Sequence, residues 1–399
     1  MKLPRSSAYL LRPRSDHDDR VSFVELFFDL VFVFAITRLS HSLLEDFTLA
    51  GAARTAMLLL AVWWVWVYTA WAINWLDPHK TAVRLMLFVL MLLGLVMSAS
   101  IPDAFGARGL SFALTYVAMQ VGRCVFLLWA LADHQPNNFR NFQRITSWLA
   151  FAGAFWIAGG FADGEVRIAL WIVALAIEYC SPAAGFWTPG LGRSTTADWD
   201  ISGEHMAERC GLFVIISLGE SVLVTGASFG DLEWSTVTMA AFAVAFVSSV
   251  AMWWVYFHIG AERGSRFMAD SEDPGRLARA GYTYVHILVV AGIVVAAVAD
   301  EFLLLHPEGH IETGIAAVIV GGPALFLLGT AVFKWLTGPH FPLSHIGGLV
   351  LFAGLAWLAV GSGLNPAPLS LGAAAALVLV IVAVWERISL SSEHRRITH

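Results

Sequence analysis

Long apolar runs separated by short polar segments make up most of the chain. A helix that crosses a bilayer needs about 20 mostly apolar residues, and twelve runs reach or approach that length. The pattern therefore predicts an all-α, polytopic membrane protein with about twelve transmembrane helices, of which the sixth is the shortest. The predicted spans are 21–44, 52–76, 82–101, 109–131, 142–161, 166–183, 205–229, 235–258, 278–299, 313–333, 343–361 and 370–388.

The composition also indicates a protein that lies in a lipid bilayer. The 399 residues are 58% hydrophobic and 14% charged, whereas ordinary soluble domains are about 25% charged. Mean hydropathy is +0.70. A soluble protein of this size could not bury so much apolar surface, so the lipid bilayer is the expected partner. The net charge of −6 gives no support for nucleic-acid binding, and the three cysteines, all in apolar runs, are interpreted as small hydrophobic residues.

The distribution of basic residues tests the number of spans, because cytoplasmic loops carry an excess of Lys and Arg. With twelve spans and a cytoplasmic N-terminus, most of the 24 Lys and Arg residues fall in inner segments, and acidic residues such as Asp300 and Glu301 fall in outer loops. We therefore expect a cell-membrane protein with both termini in the cytoplasm. The predicted organisation is a tail at 1–20, a six-helix repeat at 21–183, a linker at 184–204, a second six-helix repeat at 205–388 and a tail at 389–399.

The two predicted repeats share motifs in the same order. Glu25 is followed by LFFDLVFVFAIT and Glu208 by RCGLFVIISLGES, and WWVWVYTAW at 63–71 corresponds to WWVYFHIG at 253–260. Because six spans is an even number, such repeats would run parallel, related by an axis along the membrane normal. The alternative is that aromatic-rich spans look alike by chance.

The first span carries charged residues within its apolar run. Glu25 and Asp29 lie one helical turn apart and so project from one face. A charged side chain at a helix centre costs about 2.5–3.5 kcal/mol on insertion scales and usually faces the protein interior. Arg38 and His41 lie near the predicted outer boundary, where an arginine can extend its charge to the interface.

The seventh span carries a denser set of charges. Glu204 and Glu208 share one side of the predicted helix, and His205, Arg209 and Glu220 share a neighbouring side. Arg123, Glu178 and His286 on other spans are candidate partners. Two alternatives remain open: Arg209 forms an interfacial ion pair with Glu204 or Glu208, and His286 is a hydrogen-bonded structural histidine. His205-x-x-Glu208 lacks the remaining ligands of a known metal motif, so neither a metal nor a cofactor is expected.

Two blocks carry a family resemblance. ELFFDLVFVFAITRLSHSL at 25–43 and ERCGLFVIISLGESVL at 208–223 resemble the bacterial low temperature requirement protein A family. The resemblance covers about 20–390 and implies a polytopic membrane protein named for growth in the cold. Cys210 stands where such proteins often have His. The polar positions carried over are Glu25, Asp29, His41, Glu208, Arg209, Glu220 and Ser221. FFDLVFVFAIT is also similar to the Phe-Ser-Asp motif of a family of potassium and proton channels, with Phe28 in place of the Ser.

We find no nucleophile elbow, phosphate-binding loop or dinucleotide fingerprint in a suitable context, so an enzyme is not expected. The leading hypothesis is a proton-coupled secondary transporter of an unspecified small solute or ion. Asp29 and Glu220 would exchange protons, with Glu25, Glu208 and Arg209 as an inner gate and Arg38 or His41 as an outer one. The alternatives are a cation or proton channel, and a membrane sensor or scaffold that carries no flux.

Overall fold

The computed structural model describes residues 7–12, 21–132, 135–194, 203–258, 279–338 and 341–397. Most of the predicted tail at 1–20 and residues 195–202 of the predicted linker lie outside these ranges.

The described residues form twelve α-helices, one for each predicted span. The helices are α1 Phe23–Glu45, α2 Leu49–Trp75, α3 Thr81–Ser100, α4 Gly109–Leu131, α5 Pro136–Phe161, α6 Gly164–Cys180, α7 Gly203–Asp231, α8 Thr236–Phe257, α9 His286–Leu305, α10 Thr313–Leu336, α11 Leu343–Ala356 and α12 Pro368–Ile397. A π-helical segment, Arg279–Val285, leads into α9, and another, Trp357–Gly361, follows α11. The all-α prediction is confirmed. Helices suit this sequence because each satisfies its own backbone polar groups, which lipid cannot do.

Nine of the helices in the described residues are long and apolar enough to cross a membrane. The other three are α1, α5 and α6. Of these, α6 has only 17 residues and α1 contains Glu25, Asp29 and Arg38. The fold is therefore that of a membrane protein, while crossing by α1, α5 and α6 stays a prediction.

Polarity is inverted relative to a soluble protein. Glu25, Asp29, Arg123 and Arg209 are buried, although charged side chains are almost never buried in water-soluble folds unless they are paired. Large apolar side chains lie instead on exposed helix faces. On α3 and α8 these are Leu85, Phe88, Val89, Leu92, Phe246, Val247, Val250 and Trp253. An apolar exterior around a polar interior is the arrangement that a bilayer favours.

The described residues divide into two compact units. The first contains 7–12, 21–42, 53–132, 135–194 and 203–209, and the second contains 43–52, 210–258, 279–338 and 341–397. In the first unit α2 is buried on nearly all sides, with Trp63, Trp64 and Trp66 almost completely enclosed. A helix that is apolar all round forms the centre of its bundle.

In the second unit α9 and α10 pack closely through glycines. A Cβ at Gly322 would lie 2.6 Å from the backbone N of Ala296, and one at Gly292 would lie 2.3 Å from the backbone N of Phe326. Small residues let helix backbones approach in membranes, where van der Waals packing drives association. Lys334 of α10 donates to Glu386 of α12 at 2.7 Å and to the Val255 carbonyl of α8 at 2.8 Å.

Arg167 shows how polar groups at helix ends are satisfied. The structure buries Arg167 at the start of α6. Its guanidinium donates to the carbonyls of Gly159, Ala162, Ala104 and Gly106. It therefore satisfies carbonyls at the end of α5 and in the turn before α4.

Candidate functional site: a buried ion-pair cluster on α1 and α7

Four charged or titratable side chains meet inside the first unit. Glu25 and Asp29 come from α1, and His205 and Arg209 come from the first turns of α7. Each pair is spaced by four residues, so each projects from one helix face. All four residues have an exposed fraction of 0%. We call this set the α1–α7 cluster.

Direct contacts join the two helices. Arg209 Nη2 donates to Asp29 Oδ1 at 2.7 Å, and Arg209 Nη1 lies 3.5 Å from Glu25 Oε1. His205 Nε2 lies 2.8 Å from Glu25 Oε1. An ionised carboxylate only accepts hydrogen bonds, so Nε2 carries the proton in this contact. The arginine thus lies between both carboxylates, while the histidine binds one of them.

Helix α2 forms one wall of the cluster. Trp66 Nε1 donates to Asp29 Oδ1 at 2.9 Å, and the Arg209 guanidinium carbon lies 5.8 Å from the centre of the Trp66 ring. The Asn74 amide nitrogen lies 3.4 Å from His205 Nδ1. These contacts orient Asp29, Arg209 and the histidine ring from a third helix.

The chain segment before α1 closes the other side of the cluster. Glu25 Oε2 accepts from the backbone N and the hydroxyl of Ser22, both at 2.8 Å. Arg12 Nη2 lies 3.7 Å from the same oxygen. Leu11 forms an antiparallel bridge with Leu76, and Arg12 N donates to the Trp75 carbonyl at 2.9 Å. The segment is therefore held to the end of α2, with Arg12 at the edge of the cluster.

The charge of the cluster depends on groups at its rim. Two carboxyl groups face one fully buried arginine, and Arg12 is the second guanidinium in reach of Glu25. Among the described residues, no hydrogen-bond partner reaches Asp29 Oδ2, Arg209 Nε or Arg209 Nη1. Buried polar groups without hydrogen bonds are expensive. The cluster therefore has donors and acceptors that are not used in hydrogen bonds, and its net charge changes when a carboxyl group is protonated or when Arg12 leaves Glu25.

A second polar network lies beside this cluster in the same unit. Arg123 of α4 donates to Thr69 Oγ1 of α2 at 2.9 Å and to Gln120 Oε1. Gln120 donates to the Tyr116 hydroxyl at 3.2 Å, and Tyr116 donates to Glu178 of α6. Thr69 lies one turn from Trp66, so α2 contacts both sets of polar side chains.

Several predicted partnerships differ from the structure. Arg209 contacts Asp29 and Glu25 inside the bundle, so the interfacial pair with Glu204 or Glu208 is wrong. Glu204 and Glu208 are exposed, because their side of α7 is not the side that faces α1. Glu208 accepts from the backbone N of Val21 at 2.9 Å.

Arg123 and Glu178 were predicted as partners of the seventh span, but they belong to the network on α2, α4 and α6. The outer candidates, Arg38 and His41, are both half-buried on α1. The Arg38 guanidinium carbon lies 4.8 Å from the centre of the Phe34 ring.

The second unit contains the remaining predicted residues. Glu220 and Ser221 are buried on α7, and Ser221 Oγ donates to Asp300 Oδ2 at 2.9 Å. His286 Nδ1 donates to the Gly281 carbonyl at 2.8 Å, and Nε2 accepts from the Tyr256 hydroxyl at 2.7 Å. Both ring nitrogens of His286 are therefore hydrogen-bonded, as the alternative of a structural histidine predicts. The proton exchange between Asp29 and Glu220 stays a prediction.

Comparison with known proteins identifies the family. The family model described as bacterial low temperature requirement A protein (LtrA) matches residues 20–384. This chain belongs to the LtrA family. It is also 41% identical over 396 residues to "Uncharacterized protein RA0937" of Rhizobium meliloti (strain 1021), covering 98% of this chain and 95% of that protein. No solved structure matches the chain.

Several residues that complete the sites of this LtrA protein were not predicted from its sequence. Trp66 was noted only as part of the aromatic run at 63–71, although a buried tryptophan N–H usually needs an acceptor, and Asn74 was not noted. Asp300 was assigned to an outer loop, but α9 continues to Leu305 and buries it. The signal for Asp300 was available: the apolar run HILVVAGIVVAAVADEFLLL continues past the acid with four more apolar residues, so Asp300 lies inside a 20-residue helix.

Proposed function

We propose that this LtrA protein is a secondary transporter that couples proton movement to the passage of a small solute or ion. The observation that carries the proposal is the α1–α7 cluster, in which two carboxylates, an arginine and a histidine are completely buried. Ionisable groups at membrane depth are expensive, and they commonly mark ion pathways and proton relays.

The chemistry of the cluster suits a proton-responsive gate. Protonation of Asp29 would remove the charge that Arg209 contacts at 2.7 Å and weaken the contact between α1 and α7. Arg209 could then move toward Glu25, whose Oε1 is already 3.5 Å from Nη1. His205, bonded to the same oxygen, is positioned to accept a proton when the Arg12 contact opens. Each step changes one charge and one inter-helix contact, which is what coupling requires.

The proposed architecture has twelve spans in two parallel six-helix repeats, with both termini in the cytoplasm of the cell. It is supported by twelve helices, by the distribution of Lys and Arg, and by the matching blocks that begin at Glu25 and Glu208. In this topology the α1–α7 cluster is at the cytoplasmic end, because Glu25 lies near the start of α1 and His205 near the start of α7.

The test uses purified protein in proteoliposomes on a solid-supported membrane. A panel of alkali cations, inorganic phosphate and amino acids is applied, and transient currents are recorded with and without a pH gradient. We expect at least one compound to give a pH-dependent current. Asp29→Asn should abolish its dependence on pH, and Glu312→Gln, an exposed acid before α10, should leave the current unchanged.

The rival functions give different results in the same assay. A channel would give a sustained ion current that needs no counter-ion, and a scaffold would give no current with any compound. A pH-dependent current that persists unchanged in Asp29→Asn would overturn the assigned role of the cluster.

A further inference from the structure

A small cavity lies inside the second unit beside a buried acid. Its volume is about 20 Å³, and its lining includes Asp300 of α9, Ser248 of α8, Ile319 and Pro323 of α10, and Ala375 of α12. A cavity of roughly 10–15 Å³ or more holds one water molecule. The space is therefore suited to a single small guest held between four helices.

The guest would meet oxygen ligands. Asp300 has two carboxylate oxygens, of which Oδ2 accepts from Ser221 Oγ at 2.9 Å. Ser221 Oγ lies 3.3 Å from Ser249 Oγ, and Ser248 adds a hydroxyl at the cavity wall. An ionised carboxylate can accept about four hydrogen bonds or ligand contacts in total. Asp300 therefore has capacity for a further partner.

Helix α10 adds a backbone oxygen at this position. Pro323 lies inside α10 and has no N–H, so it cannot bond to the carbonyl of Ile319 four residues earlier. Both Pro323 and Ile319 line the cavity. A carbonyl that loses its partner inside a membrane helix needs another one, and a cation is a partner that fits.

Charge decides what kind of guest fits. Within the part of the chain that the structure describes, no Lys, Arg or His forms an ion pair with Asp300. An isolated buried carboxylate is strongly unfavourable, so a positive charge or a proton must compensate it. A single carboxylate balances one positive charge, whereas Ca²⁺ sites gather several acidic ligands.

We propose that Asp300, held by Ser221, forms with Ser248 and the Ile319 carbonyl a binding site for one dehydrated monovalent cation of the size of Na⁺. Hydroxyl, carboxylate and carbonyl oxygens are the ligands that hard cations prefer. Binding itself is independent of the proposed transport function. Only the further step, that this cation is a co-transported ion, rests on that function.

The first experiment measures binding to the full-length protein in detergent at pH 8, where protons compete least with the cation. Thermal unfolding is followed as choline chloride is replaced by NaCl at constant ionic strength. A ligand that binds only the folded state raises the melting temperature, so we expect a rise of a few degrees for the wild type. Asp300→Asn should lose this rise. Glu301→Gln, which changes the adjacent acid of α9, should retain it.

A second variant separates binding from folding. Pro323→Ala restores an N–H that can bond to the Ile319 carbonyl and should not destabilise α10. We expect its melting temperature in choline to equal or exceed that of the wild type, while radioactive Na⁺ binds about tenfold more weakly or worse. If Pro323 has only a structural role, Pro323→Ala will bind Na⁺ as the wild type does, which would contradict the part of the Ile319 carbonyl in the site.

The outcomes are distinct. An equal response of the wild type to Na⁺ and choline, or an Na⁺ response kept in Asp300→Asn, would overturn the cation site and leave a proton as the compensating charge. Na⁺ binding without current in the liposome assay would leave the cation site standing and contradict the transport function. Currents without Na⁺ binding would support the transport function and contradict the cation site.

Discussion

At the level of single residues, Arg209 is the side chain of the α1–α7 cluster that contacts both carboxyl groups of α1. It is fully buried and contacts carboxylates on α1 from a position on α7. A buried pair contributes little net stability compared with apolar groups of the same shape, but loss of one partner leaves an uncompensated charge. Removal of either Arg209 or its carboxylate partner is therefore expected to cost more stability than the intact pair contributes.

We expect Arg209→Gln to lower the free energy of unfolding by about 3–5 kcal/mol, because Asp29 then lacks its nearest cation. The double variant Asp29→Asn/Arg209→Gln should lose less than the sum of the two single variants, since neither side leaves an unpaired charge. Reversible unfolding in mixed micelles measures both. Glu204→Gln, exposed on the same helix, should stay within about 0.5 kcal/mol of the wild type. Strict additivity of the two variants would contradict the pairing.

At the scale of helices, contact between α9 and α10 depends on where the glycines lie. Gly321 and Gly322 are adjacent on α10, yet a Cβ on Gly321 would meet no atom within 4 Å, whereas one on Gly322 would collide with the backbone of Ala296. The two positions therefore form a matched pair that differs in packing and not in sequence context.

Gly322→Ala should force α9 and α10 apart and destabilise the protein by about 1–3 kcal/mol, as overpacked cores do. Gly321→Ala should be neutral or stabilising by up to about 1 kcal/mol, because alanine favours the helix. Thermal unfolding of the two purified variants compares them directly. Equal melting temperatures for both variants would rule out close backbone contact at Gly322.

Helix positions were more predictable from sequence than side-chain partners. Apolar runs located all twelve helices, because the length of a run and the breakers between runs are local properties of the chain. The partners of Arg209 and His205 were not local: they depend on which face of α7 meets α1, and on contacts from Trp66 and Asn74 of α2. Asp300 was missed because its position near the end of a run resembles a loop until the neighbouring helices bury it.

At the scale of the whole molecule, the number of spans decides the side on which each terminus lies. Nine of the helices in the described residues satisfy length and hydropathy on their own, and an odd number would put the termini on opposite sides. Twelve spans put both on one side, which the concentration of Lys and Arg in alternate loops favours. Of the three helices for which crossing is a prediction, α5 and α6 are joined by a short turn at Ala162 and Asp163.

Single-cysteine labelling in intact cells tests this topology. The three native cysteines are replaced by Ala, and a cysteine is introduced by Asp163→Cys, whose native side chain is 95% exposed, or by Glu308→Cys in the α9–α10 loop. We expect both to react with a membrane-impermeant maleimide from outside. A cysteine introduced by Pro189→Cys, at an exposed position in the α6–α7 segment, should react only after the cells are opened. Fluorescent-protein fusions at either terminus should fluoresce, because that reporter folds in the cytoplasm. Protection of residue 163 in intact cells would mean that α5 and α6 do not cross the membrane, and would remove both from the count of spans.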